Sequence, residues 1–429
     1  KKGYNMINNI LESSLLRSSS IYTLANILNS AIPFFLLPIM TVYLTPADYG
    51  IVSMFGTLLG FFAPFMSLNV YGAISRKYYD REDKFSRYIS TALYIVLFSS
   101  LLVWIIIYLF RDFISRISSF PENALVFVVI AGFGNSITQI TLTLWRVRER
   151  PIVFGIFQIS QTLLNMIASI VLVVGFSMGW FGRVSGQVLA NVVFGLIGFI
   201  IIVKNEKINF QWSKVDSKDM LQFGIPLIPH ALGSFLMTMT DRVFITNMFG
   251  VSATGIYTVG YQIGKIIGLL QDSFNNAWIP FLFKKLKENN RRVEEKIVNF
   301  TYLYFIVIIL MTVLLSLIAP FIVKIFIGES FHGSIQYVLW IALGYAFNGM
   351  YKMVSGVIFY EKKTHLLSTV TFITALLNII LNYVFIKANG AVGAAQATSV
   401  AYFISFILTW ILSHKVHPMP WNIFKSRKS

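Results

Sequence analysis

RYISTALYIVLFSSLLVWIIIYLFR, residues 87–111, carries no charge between Arg87 and Arg111. A helix of that length crosses a bilayer, whose hydrocarbon core takes about 20 residues. Working outward, further stretches long and apolar enough to span lie at 18–44, 49–75, 122–145, 151–175, 182–203, 220–249, 254–280, 297–323, 332–360, 365–386 and 391–414. The whole chain is 56% hydrophobic and 12% charged, with a mean hydropathy of +0.70. An ordinary soluble protein carries about a quarter charged residues. The expected fold is an all-α polytopic membrane protein of twelve transmembrane helices.

Basic residues orient it. Loops alternate sides, and 27 of the 35 Lys and Arg fall on the side that holds both termini, against 5 on the other. The positive-inside rule therefore expects both termini in the cytoplasm. The same asymmetry accounts for most of the net charge of +17, so nucleic acid is not an expected partner. Contact with anionic membrane lipids is expected. No outer loop is long enough to hold a catalytic domain. Cysteine is absent, which excludes disulfides and thiolate chemistry. Met6 reads as a native start and 6–16 as an amphipathic surface segment. The first apolar stretch is too long for a cleavable signal.

Spans 1–6 and 7–12 repeat one another. Thr45-Pro46-Ala47-Asp48-Tyr49-Gly50 corresponds to Val251-Ser252-Ala253-Thr254-Gly255, Leu164-Asn165 to Leu377-Asn378, and the glycine turn at Gly182 to that at Gly390. Six spans per copy start both halves on the same side, which implies lobes related by a pseudo-twofold axis along the membrane normal. The expected divisions are a first lobe at 1–203, a cytoplasmic linker at 204–219 and a second lobe at 220–429. Duplication of this kind is the usual frame for alternating access.

Charges within spans are expensive and face protein or water. Span 7 offers His230, Asp241 and Arg242, span 8 Lys265 and Asp272, and span 10 Lys352. Arg242 and Lys265 are the candidates for an anionic head group. Asp241 reads equally as a coupling carboxylate or as a structural partner of Lys265, since neighbours on a helix do not face each other. Asp272 is a second coupling candidate, and His230 reads as packing or as a proton carrier. Lys352 lies near enough to a span end to snorkel. In the first half, Asn26 and Asn29 are polar in span 1, with Arg17, Arg76 and Arg146 near the cytoplasmic rim. Gly260, Gly264 and Gly268 form a small-residue stripe for close helix packing. No catalytic, metal or nucleotide motif is present, so no cofactor is expected beyond a coupling ion, H+ or Na+.

Two segments resemble bacterial polysaccharide-repeat-unit flippases, of the O-antigen or capsule type, in the multidrug/oligosaccharidyl-lipid/polysaccharide (MOP) exporter superfamily. They are Phe35–Gly50, with its Leu37-Pro38 and Thr45-Pro46-Ala47-Asp48-Tyr49-Gly50, and Gly224-Ile225-Pro226-Leu227-Ile228-Pro229-His230 followed by Asp241-Arg242. The resemblance implies a V-shaped, MATE-like pair of lobes in the bacterial inner membrane. It implies translocation of a polyprenyl-pyrophosphate-linked oligosaccharide to the outer leaflet, beside partners such as a glycan polymerase. Arg242 and Lys265 would then hold the head group, with Arg17, Arg76 and Arg146 at the cytoplasmic mouth. A cation-coupled multidrug antiporter of the same superfamily is the competing expectation and calls for an acid-rich cavity. A membrane polymerase or ligase lacks its outer loop here, and peptidoglycan-precursor flippases usually have two more spans.

Overall fold

The computed structural model describes the backbone of residues 2–79, 85–288 and 290–421, with their side chains except those of 2–20, Ser234, Thr364 and His365. Among the described residues every regular element is a helix. In chain order these are α1 (Lys2–Tyr43), α2 (Pro46–Ser67), α3 (Val70–Tyr78), α4 (Phe85–Leu109), α5 (Arg111–Ser118), α6 (Val126–Val147), α7 (Pro151–Ile170) and α8 (Gly179–Asn205). They continue as α9 (Lys214–Gly224), α10 (Ile228–Phe249), α11 (Val251–Gly264), α12 (Ile266–Leu286), α13 (Arg291–Phe326), α14 (Ile335–Tyr360), α15 (Thr364–Asn389) and α16 (Val392–Val416). Two compact units divide between Leu232 and Gly233.

Among the described residues nine helices are long and apolar enough to cross a membrane, and the broken pair 214–233 and 235–249 makes a tenth. The expected eighth and tenth spans are helical as α11–α12 and α14, yet fall outside that set. Gln271, Asp272, Asn275 and Asn276 dilute the first, and Tyr, Gly and Asn348 the second. Two expected spans are also broken. Span 2 divides at Leu68 and Asn69, which take φ of 43° and 50°. Span 8 divides at Lys265, which ends α11 and begins α12.

Local chemistry sets several of these ends. Thr45 and Asp48 form a reciprocal capping box: Asp48 N–H donates to Thr45 Oγ1 at 3.1 Å, and Thr45 N–H to Asp48 Oδ2 at 3.1 Å. Pro46 at the first turn forgoes a donor that would have no partner anyway. Ser213 caps α9 through Asp216 N–H at 3.2 Å, and Asn290 caps α13 through Arg292 N–H at 2.9 Å.

In the first unit α6 is the central helix, packed on α2, α4 and α8. Its approach to α8 is backbone to backbone, since a Cβ on Gly134 would stand 2.3 Å from the Asn191 carbonyl oxygen. In the second unit α14 has the equivalent place against α12, α13 and α16. The glycine stripe lies on it as expected. A Cβ on Gly260 would meet the Ser334 carbonyl at 2.6 Å, and Cβ atoms on Gly264 and Gly268 would meet Ile341 and Tyr345 at 2.7 Å. The fourth span of each half is thus the hub of its unit, which is the sequence repeat expressed as packing.

Residues 204–219, expected as linker, include most of α9, and α9 packs on α3 and α4 within the first unit. Arg76 reaches Asp219 with bonds of 2.6 and 2.7 Å, the Tyr88 hydroxyl donates to the same carboxylate at 2.8 Å, and Arg87 pairs with Asp216 at 2.8 Å. A Cβ on Gly224 would meet the Leu68 carbonyl at 1.9 Å, so only glycine lets α9 end against the α2–α3 break.

Candidate functional site

Each unit has its own concentration of polar side chains inside spanning helices. In the second unit it centres on Asp241 and Arg242 of α10. Expected either as a coupling carboxylate or as the partner of a cation on another helix, Asp241 turns back on its own. Its Oδ1 accepts from the Arg242 backbone N–H at 2.8 Å and from Arg242 Nη1 at 3.1 Å. Its Oδ2 accepts from the Tyr257 hydroxyl. Arg242 Nη1 also donates to the Thr238 carbonyl at 2.7 Å. The guanidinium carbon lies 4.3 Å from the Tyr261 ring centroid and 5.8 Å from that of Tyr257, while the Tyr261 and Tyr345 hydroxyls are 2.7 Å apart. Asp241 is 2% exposed and Arg242 4%. The Arg242 charge is therefore neutralised, stacked and shut in, so in this arrangement it offers no open face to a head group.

The remaining expected residues lie apart from that cluster. Lys265 is exposed at the α11–α12 break and makes no ion pair with a described residue. Lys352 does not stand alone at a span end; it bonds Asp272 across α14 and α12. The Arg76 guanidinium is committed to Asp219 and lies 4.9 Å from the Phe223 ring centroid, which makes it a clamp on α9. Arg146 is exposed, 5.4 Å from the Phe154 ring centroid. His230 is exposed on the portion of α10 that belongs to the first unit. Asn26 is exposed, and Arg17 falls outside the described side chains. Among the described residues no three His, Asp or Glu side chains gather as a metal site.

The first unit holds what sequence reasoning largely missed. Side chains of α1, α6, α7 and α8 line a half-open cavity of about 220 Å³: Asn29, Asn135, Gln139, Gln158, Gln161, Thr162, Asn165, Gln187 and Asn191, with Leu142 and Ala190 as its apolar residues. Thr162 donates to Asn29 Oδ1, and Gln161 Nε2 donates to Asn191 Oδ1 at 3.0 Å. Gln158 Oε1 is buried there with no hydrogen-bond partner among the described residues. Asn29 alone was singled out beforehand for a binding role. The pattern was legible, however: Gln158, Gln161 or Thr162, and Asn165 recur at i, i+3/i+4 and i+7, and both Asn135–Gln139 and Gln187–Asn191 at i, i+4, so each helix turns one amide face inward. Amides both donate and accept without charge, and water fits a polar cavity of this volume.

Comparison with known proteins places this architecture. Residues 15–286 match the family described as polysaccharide biosynthesis protein. The chain belongs to that family. Residues 226–384 also match the MatE family. The chain is similar to an uncharacterized membrane protein of Haemophilus influenzae, 26% identical over 409 residues covering 91% of this chain and 97% of the relative. It is also similar to the capsular polysaccharide biosynthesis protein CapF of Staphylococcus aureus, 23% identical over 69% of this chain and 80% of the relative. Among solved structures it resembles an inward-facing MATE multidrug transporter of the MOP superfamily, with a TM-score of 0.73 at 14% identity over 92% of this chain and 94% of that one. It resembles the lipid II flippase MurJ in its inward closed conformation with a TM-score of 0.71, at 15% identity over 95% of this chain and 87% of that one. This family member shares the fold of those MOP structures, and its spanning-length apolar helices make it a multi-pass membrane protein.

Proposed function

We propose that the protein is a flippase for lipid-linked oligosaccharides, carrying polyprenyl-pyrophosphate-bound repeat units of a surface polysaccharide from the cytoplasmic to the outer leaflet. The observation that carries this reading is the amide-lined cavity of the first unit, set within bilayer-length helices of a chain from the polysaccharide biosynthesis family. Each sugar hydroxyl taken from water without a partner costs roughly 2–7 kcal/mol in an apolar medium, so a glycan crosses only along side chains that replace water. Neutral amides answer hydroxyls in either sense. In the second unit the exposed Lys265, which makes no ion pair with a described residue, offers its charge to an anionic group where the enclosed Arg242 does not. Residence in the inner membrane with both termini cytoplasmic, gradient coupling to H+ or Na+, and cooperation with a glycan polymerase belong to the same proposal.

A cation-coupled multidrug antiporter is the second reading, favoured by the MatE match. Cationic drugs call for carboxylates, whereas the cavity is lined by amides, a hydroxyl and two apolar residues. Reconstitution into vesicles with a fluorophore-labelled prenyl-diphosphate oligosaccharide separates the two. Flipping is read as the fraction of label that a membrane-impermeant quencher reaches. The flippase reading expects protein-dependent flipping that falls at least tenfold in Gln161→Leu/Asn191→Leu. Absence of flipping in the wild type, with gradient-driven uptake of a lipophilic cation, overturns it.

A further inference from the structure

The neutral cavity has a charged neighbour. Arg183 lies on α8 one turn before Gln187, within a helix of spanning length and hydropathy. Its Nη1 donates to Asn165 Oδ1 at 2.8 Å and to Ser169 Oγ at 2.9 Å, and Asn165 and Gln187 both line the cavity. Both acceptors are uncharged, and no carboxylate of a described residue lies within 4.0 Å of this guanidinium. Other arginines differ: Arg76, Arg87, Arg148 and Arg242 each have a carboxylate partner. A guanidinium cannot shed its charge as a buried lysine can. An uncompensated one within a span is costly and is retained where an anion is to be met.

The local backbone is shaped to hold it. A Cβ on Gly186 would stand 2.6 Å from Ser169 Oγ, so glycine lets α8 close on α7 where Arg183 bonds. The α-helical turns of α7 give way at Val171–Gly175 to a π-helical turn, which starts two residues after Ser169. Nη1 is tied to two neutral oxygens, and the Tyr49 hydroxyl is the other group that acts on this charge, which leaves Nε and Nη2 as the edge facing away from those bonds. That edge is the pair of donors which binds a phosphoryl group in bidentate fashion.

We infer that Arg183 is the residue that makes the first unit's amide cavity select anions: its Nε–Nη2 edge takes a phosphoryl oxygen of a diphosphate-bearing ligand, and its charge keeps lipophilic cations out. The inference rests on the flippase reading and adds a specificity determinant to it.

Binding to the purified full chain by titration calorimetry tests it, with geranyl diphosphate, geraniol and tetraphenylphosphonium as probes. For Arg183→Gln the expected result is at least a tenfold loss of geranyl diphosphate affinity, unchanged geraniol binding and tighter tetraphenylphosphonium binding. Arg183→Lys should fall between, because it keeps the charge and loses the fork. A purely structural anchor would weaken all three probes together, and that outcome overturns the inference. So does geranyl diphosphate affinity within twofold of wild type in Arg183→Gln, an outcome that leaves the flippase reading standing. Wild-type protein that prefers tetraphenylphosphonium to geranyl diphosphate overturns both. Should Arg183→Gln fail to fold, Arg183→Lys decides, by a threefold or greater loss for geranyl diphosphate against none.

Discussion

Asp241→Ala is the perturbation whose consequence follows most directly from the geometry. The carboxylate accepts from Arg242 N–H, from Arg242 Nη1 and from the Tyr257 hydroxyl, and it is 2% exposed. Its removal leaves a guanidinium that is 4% exposed with one carbonyl acceptor, Thr238, and a stacked Tyr261. Breaking a buried ion pair from one side costs about 3–5 kcal/mol. The orphaned Tyr257 hydroxyl adds about 1–3 kcal/mol, and the two overlap, so about 4–6 kcal/mol is expected. For a unit of this size each kcal/mol is worth roughly 2–4 °C, which predicts a Tm lower by about 10–20 °C. The control is Asp241→Leu/Arg242→Met, in which both charges go and the volume is kept. A pair replaced by apolar side chains is neutral or better, so the double variant should lie within about 2 kcal/mol of wild type. Thermal inactivation of monodisperse detergent-solubilised protein, followed by size-exclusion chromatography, reads both. If the double variant is as damaged as Asp241→Ala, the uncompensated charge is not the cause; if Asp241→Ala melts within 2 °C of wild type, the pair is not structural.

Two glycines give opposite results from the same change. Gly134→Ala places a Cβ 2.3 Å from the Asn191 carbonyl and must part α6 from α8, at a cost of about 1–3 kcal/mol or more. Asn191 lines the amide cavity, so flipping in vesicles should fall along with Tm. Gly56→Ala meets nothing within 4 Å on α2 and should raise stability by about 0.5–1 kcal/mol in the same melt. Asp219→Asn weakens the Arg76 clamp on α9. With side chains 45% and 41% exposed the pair is worth under about 1 kcal/mol, so Tm should scarcely move. Hydrogen exchange of the 214–224 amides should still quicken up to about fivefold, and unchanged exchange there would show that the Arg87–Asp216 pair and the packing of Gly224 hold the helix without the clamp.

The fold was legible because hydropathy, loop charge and repeat all depend on composition along the chain. Regions 18–44 through 391–414 do emerge as helices. The breaks inside spans 2 and 8 were not legible: Leu68 and Asn69 adopt positive φ where Gly224 packs close by, and nothing in the local sequence states that. The polar residues were read by charge, and charge misled. Arg242 looked like a ligand because an in-span arginine demands a reason, and the reason lay one residue away in Asp241, through a side-chain turn that helical spacing rules discount. Arg183 falls at the very start of the span read at 182–203, whereas α8 begins three residues earlier at Gly179 and carries it a full turn inside the helix. The amides at 158, 161 and 165 were passed over as individually ordinary, although their common face was visible in the spacing.

Pairing, which only distances reveal, sorts this chain's cations by task. Arg76, Arg87 and Arg148 spend their charge on carboxylates at helix ends and secure packing; Arg242 spends it inside α10 and secures one unit. Lys265 and Arg183, inside the expected spans 8 and 6, have no carboxylate within 4.0 Å among the described residues. A carrier that must release what it binds gains little from a cage of strong charges, since a desolvated ion pair opens slowly. A neutral amide bonded to a hydroxyl contributes net only about 0.5–1.5 kcal/mol, and water can replace it at similar cost. Many weak bonds to sugars with few cations for the diphosphate therefore suit turnover better than a continuous basic lining. Under the proposed function, a cavity rich in Asn and Gln, bordered by Arg183 with no carboxylate partner among the described residues, suits such a cycle.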